Sequence, residues 1–182
     1  MRLLAVSLAL LLGACVPTGE SAEPTPSLDV WAGLRHSSRI VTPPPGEACR
    51  VSPRHELIGP FAGAAQAETS GTGTDPQIYA VGGDPLQVGP VDASGYQYGK
   101  VLWIAPPKSG ERMLIRGQRI DGPGDIRFQP GGAELHFDPP VSDEGWRQMP
   151  SLVGVRTPGC YSFQIDATGF ITIITVRVDA RE

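Results

Sequence analysis

Three cysteines carry the most distinctive chemistry in this sequence: Cys15, Cys49 and Cys160. Cys15 closes the run Leu12-Gly13-Ala14-Cys15, which reads apolar, small, small, cysteine. Small residues let a signal peptidase reach the bond before Cys15, and the Cys15 thiolate is the atom that takes a lipid. The residues upstream agree. Arg2 supplies a positive start, and Leu3 to Leu12 form an apolar run with one Ser. A bilayer core needs about 20 apolar residues. The run is too short to span and fits the apolar region of a signal peptide. The expectation is a lipoprotein signal over 1–14, export, and anchorage through lipid on Cys15 to a bacterial membrane, on its periplasmic face or at the cell surface. Each buried methylene adds about 0.8 kcal/mol of membrane affinity, so several acyl chains make a stable anchor. No later segment is apolar enough to span.

With Cys15 lipidated, two cysteines remain. Outside the cytoplasm an even remainder points to a disulfide, Cys49–Cys160. It would close a loop of more than a hundred residues and contribute roughly 2–4 kcal/mol. The rival readings are a metal pair and a catalytic thiol. Two cysteines so far apart lack metal-ligand spacing, and no motif around Cys160 would depress its pKa.

Other chemistries find less. His36, His55 and His136 have no ligand spacing, and no metal or cofactor is expected. There is no G-x-S-x-G elbow for a serine hydrolase. Asp143 and Glu144 are adjacent, would point apart in a strand, and read as a solvated loop rather than a glycosidase pair. Ser70-Gly71-Thr72-Gly73 and Gly82-Gly83 lack the lysine and helix of a phosphate loop. No catalytic residue is assigned. Removing Arg2 with the signal peptide leaves 14 of the 15 basic residues against 19 acidic ones, a balance that argues against nucleic acid as a partner.

Binding residues are the more open question. Trp103, Trp146, Tyr96 and Tyr98 could form an aromatic platform, although Trp103 lies in a continuous apolar run and reads as core. Arg112, Arg116, Arg119 and Arg127 come from two successive segments. Arg112 and Arg116 share strand parity and could present a basic stripe to an anionic partner. Trp146, Arg147, Arg112 and Arg116 make the candidate ligand surface, with an envelope protein or glycan as the expected partner.

The elements that must position these residues are strands. Gly (23) and Pro (19) are abundant and helical periodicity is missing, which favours an all-β fold with many turns. The best strands are 100–105, 112–120, 133–137, 160–166 and 169–178. Tyr161, Phe163 and Ile165 alternate onto one face, opposite Ser162 and Gln164. Phe170, Ile174, Val176 and Val178 do likewise, with Thr175 and Arg177 outward. Ala167-Thr168-Gly169 makes a hairpin turn, with Gly169 suited to a positive φ, and Asp121-Gly122-Pro123-Gly124 is another turn. Gly59 to Asp75 reads as a loop. The chain divides into the signal 1–14, a flexible lipidated tether 15–30 rich in Pro, Ser and Thr, and one β-sandwich domain 31–182 of immunoglobulin-like type with one disulfide. Cys160 alternates away from the core face. The bridge should therefore clip the Cys49 segment onto a strand start rather than pin two sheets together.

Several motifs occur in an order that resembles a family of uncharacterised secreted bacterial proteins, many of them lipoproteins. They are Lys100–Trp103, Arg116–Pro123, Trp146–Ser151 and Arg156–Asp166, the last reading RTPGCYSFQID. Trp31, Leu34 and Arg35, followed by a Pro-rich step into Cys49, fit as well, whereas Arg50 stands where the family commonly has proline. The resemblance implies a β-sandwich-like fold and a Cys49–Cys160 pair, and it implies no activity. The functional expectation is a non-catalytic binding or structural module of the cell envelope. The alternative is a cell-wall-directed hydrolase with an unrecognised site.

Overall fold

The computed structural model describes residues 29–181 apart from 58–60, 62, 69–74, 108, 111 and 130–131. The expected signal peptide, Cys15, most of the tether and the Ser70–Gly73 turn lie outside the described residues.

Two sheets pack face to face. The first runs β1 (Arg54–Leu57), β2 (Gly63–Gln66), β3 (Tyr79–Val81), β5 (Gln97–Ala105), β9 (Arg147–Val155) and β7 (Ile126–Gln129). The second runs β4 (Leu86–Val88), β11 (Ile171–Ala180), β10 (Gly159–Ala167), β6 (Met113–Arg119) and β8 (Glu134–Phe137). All neighbours pair antiparallel except β4, which lies parallel to β11. The molecule is an all-β sandwich with one disulfide, compatible with the immunoglobulin-like type, but its bridge does not join the two sheets.

Period-two alternation builds the core. Val101, Trp103 and Ala105 of β5 meet Tyr161, Phe163 and Ile165 of β10 across the gap, with Phe128, Met113 and Ile174 around them. Trp103 is fully buried, as its apolar run implied; its ring meets Phe163 edge-on at 5.4 Å and its Nε1 donates to Ser151 Oγ at 2.9 Å. A buried indole needs such an acceptor for its N–H. Gly117 faces inward on β6, where a Cβ would stand 2.5 Å from Ile126 and 2.9 Å from Phe163. No larger residue fits there.

Two expectations need correction. Gly59 to Asp75 is not loop throughout, because Gly63–Gln66 forms β2, pairing with β1. Gly169 does not take a left-handed φ; the turn closes instead by Ala167 N–H donating to Phe170 O at 3.0 Å. A further strand, β9, holds Pro150 and Gly154, which interrupt its strand pattern. Pro150 pairs with Leu102, and β7 reaches β9 only over Leu152 to Val155. Among the described residues no strand pairs with Pro150 on the β7 side, and a missing N–H on that side breaks no ladder bond there.

Candidate functional site

The outer face of the second sheet carries polar residues where the core pattern alternates away: Ser162, Gln164 and Asp166 on β10 and Thr175 on β11. Ser162, Gln164 and Thr175 point outward as expected and Asp166 joins them, yet all four are buried. Residues 29–52 form a strap across this face and bury them.

Side chains and backbone of this sheet hold the strap at several points. Trp31, just before a 3-10 turn over Ala32–Leu34, stacks on His136 with centroids 4.3 Å apart and planes 11° apart. Arg35 reaches Glu134 through Nε and Nη2 at 3.0 and 2.9 Å and also binds Asp29. That guanidinium beside Glu134 holds its carboxyl below the usual carboxylate range. Arg116 Nη2 donates to His36 O and to Asp166 Oδ2, each at 2.6 Å. Gln164 Oε1 accepts from Arg39 N at 2.6 Å, while its Nε2 donates to Ser37 O and to Asp166 Oδ1. Asp166 is fully buried, and a carboxylate there requires a cation and hydrogen bonds. Arg116 and Gln164 supply both. The far end is covalent. Cys49 and Cys160 form a disulfide with Cα atoms 5.6 Å apart, and Ser52 exchanges hydrogen bonds with the Thr175 backbone at 2.9 Å.

Between Arg39 and Cys49 the strap arches away. Pro43, Pro44 and Pro45 stiffen the span and Gly46 turns it at φ 87°, with Glu47 N donating to Pro44 O at 3.2 Å. A pocket of about 430 Å³ lies beneath, within the range of small-molecule sites. Its floor is Ser162 and Thr175, whose hydroxyls share one hydrogen bond of 2.7 Å. Val41, Pro43, Ile120 and Ile173 wall it, and Arg39, Arg50 and Glu47 stand at its rim. Neither the Arg39 nor the Arg50 guanidinium has a hydrogen-bond or ion-pair partner among the described residues.

Two of the four residues of the candidate ligand surface, Arg112 and Arg147, line one groove. Arg112 pairs with Asp138 at 2.9 Å and shares a groove of about 490 Å³ with Arg147, Pro139 and Pro140. Trp146 is half-buried instead, edge-on to Phe61 at 5.8 Å on the outer face of the first sheet. Arg116 is committed to buried Asp166 and the strap. The aromatic platform does not form either. Tyr96 is buried, its hydroxyl donates to Asp125, and its ring lies 4.6 Å from the Arg127 guanidinium and 4.3 Å from that of Arg156. Tyr98 lies against Gly154, where a Cβ would meet the Tyr98 ring at 2.5 Å. Arg119 holds Asp121 at 2.6 Å and Thr157 at 2.6 Å, pinning the turn next to the disulfide.

No protein-family model and no curated protein matches the chain. The geometry of the strap must carry the functional reading. The sequence assigned no binding role to Arg39, to Arg50 or to the buried row under the strap. One signal was present. Cys160, Ser162, Gln164 and Asp166 recur at period two, and a disulfide at the head of that row brings a covering segment down onto it. Among the described residues no cluster of three or more His, Cys, Asp or Glu could hold a metal ion.

Proposed function

We propose that this chain is an exported lipoprotein, cut before Cys15 and held on a bacterial membrane by lipid on that cysteine, and that its sandwich is a non-catalytic binding module of the cell envelope. The observation that carries the binding role is the strap, fixed at both ends and arched over a pocket. A fixed arch presents its side chains with little ordering left to do on binding. The groups in the pocket suit recognition. Two guanidiniums, a hydroxyl pair and one rim carboxylate offer no nucleophile hydrogen-bonded to a base. Glu134, His136 and Asp166, which could serve acid–base chemistry, are engaged in holding the strap. The disulfide supports export, because such bonds persist in oxidising compartments. The apolar-small-small-cysteine run Leu12–Cys15 and the resemblance to secreted lipoproteins support the anchor.

The test is metabolic labelling of bacteria making the full chain with an alkyne fatty acid, combined with in situ crosslinking through a C-terminal tag. Wild type takes the label and fractionates with membranes, Cys15→Ala does neither, and crosslinking captures an envelope protein or glycan at near-equal amounts. An unlabelled wild type overturns the anchor. An absence of any crosslinked envelope component overturns the binding role.

A further inference from the structure

We propose that the pocket beneath the strap binds a small organic anion, a carboxylate or phosphate carried on an apolar body. This deepens the reading of the chain as a binding module and rests on it.

The donors decide the sign of the ligand. Arg35 and Arg116, on the same strap-covered face, each have a carboxylate. Arg39 and Arg50 have none among the described residues, although both line the pocket. A guanidinium matches a carboxylate or phosphate with two parallel N–H donors. The floor adds a third donor. Ser162 and Thr175 each own one hydroxyl proton, and the single 2.7 Å bond between them uses one of the two. The second proton, on a buried floor residue, is left for an acceptor in the pocket. Against these donors stands one carboxylate, Glu47, exposed at the rim. Two cations against one anion leave the mouth positive.

The walls decide the rest of the ligand. Val41 keeps 79% of its surface exposed although it lines the pocket. An apolar body seated against Val41 and Ile173 would cover that surface and gain its burial. Both guanidiniums start from fixed backbone: Arg39 N is held by Gln164, and Arg50 follows the disulfide cysteine Cys49. Rigid placement on both sides of the arch lowers the ordering cost of binding.

The test uses the full chain with its anchor, purified into lipid nanodiscs. Photoreactive diazirine forms of decanoate, decyl phosphate and neutral decanamide are the probes, and mass spectrometry locates the label. The expected result is labelling of the span 40–50 or of β11 near Ile173 by an anionic probe, roughly tenfold or more above the amide, as loss of a charge-assisted contact implies. The two anionic arms separate a carboxylate ligand from a phosphate one. Arg39→Gln with Arg50→Gln removes the label by a similar factor while the disulfide and melting temperature stay, and Arg39→Lys with Arg50→Lys restores part of it. Equal labelling by the amide, an unchanged label in the Gln variant, or no label under the strap with either anion overturns the proposal. Its failure is distinct from failure of the module reading. In situ crosslinks without strap label reject the pocket and keep the module; strap label on a chain that captures no partner in cells keeps the pocket and rejects the wider envelope role.

Discussion

The two sheets cover their outer faces by different physics. On the first sheet, β2 meets β3 at one residue pair, Gln66 with Ala80. The β1–β2 pair brings Leu57 and Ala65 onto Tyr79 and Ile104, with Phe61 and Trp146 packed around them. On the second sheet the cover is a strap held by a buried ion pair, a glutamine, a disulfide and a stacked ring. Apolar contact has no direction and closes wherever surfaces meet. Polar anchors hold a chain at set points and leave the span between them free to arch. The pocket lies in such a span, and a binding site belongs on the face with directional cover.

Removing the disulfide should break the strap most. Cys49 and Cys160 are 111 residues apart; a closure of that length is worth about 5 kcal/mol at most in the chain-entropy account, and about 4 kcal/mol is the upper end of what such bridges typically contribute. Cys49→Ala with Cys160→Ala should lose about 4 kcal/mol in urea denaturation. Hydrogen exchange should show the Ser52 amide opening early while the Trp146 side keeps its protection. A loss below about 1 kcal/mol would mean that the polar anchors hold the strap unaided.

Arg116→Leu comes next. It leaves Asp166 fully buried with Gln164 as its remaining donor from the pair now present. Removing one partner of a buried pair costs about 3–5 kcal/mol, and the low end, about 3 kcal/mol, applies because Arg116 is partly exposed. Replacing both, Arg116→Leu with Asp166→Leu, should recover part of the loss, since no orphaned charge remains. Urea denaturation of the two variants side by side checks this. Equal losses would show that Arg116 acts through the His36 carbonyl rather than through Asp166.

This asymmetry also explains what could be read in the sequence. Strands with clean alternation were legible: Tyr161, Phe163 and Ile165 mark β10, and Ile174, Val176 and Val178 mark β11, with ends within about two residues. The disulfide was legible from the cysteine count, and so was its role as a clip, because Cys160 falls out of phase with the core. β9 was not, since its pattern holds a proline and a glycine that only the β7 side of Pro150, where no described strand pairs, and the Tyr98 ring make acceptable. The strap-covered row was half legible. Parity placed Ser162 and Gln164 outward, but an outward polar residue under a strap and one in water look alike in sequence. Arg39 and Arg50 gave no signal, because their significance lies in the arch between two anchors 125 and 111 residues away along the chain.

On the apolar-covered face, Ile104→Ala should cost about 2 kcal/mol. Ile104 is 1% exposed, but its cluster is small and lies outside the main core, so neighbours can close part of the cavity and the cost sits at the low end for such truncations. The strap amides should exchange as in wild type, because sites without shared partners behave independently. Faster exchange at Arg39 or Ser52 would show the two covers to be coupled through the sheets.

The smallest effect is electrostatic and confined to the strap. The Arg35 guanidinium beside Glu134 holds its carboxyl below the usual glutamate range. The same cation lowers Asp29. A carboxylate depressed in the folded state contributes stability that is whole above its unfolded pKa and is lost as pH falls through the folded one. Lowering the pH through and below the ordinary carboxylate range should therefore loosen the Arg35 contacts and, with them, the stack of Trp31 on His136. The Trp31 indole signal followed by NMR should move toward its solvent-exposed position over that range, and Arg35→Gln should produce the shift already at neutral pH. The Trp146 indole, packed against Phe61 by apolar contact, should not move. A Trp146 shift in step with Trp31 would mean that acid opens both faces together, and the division between apolar and polar cover would fail.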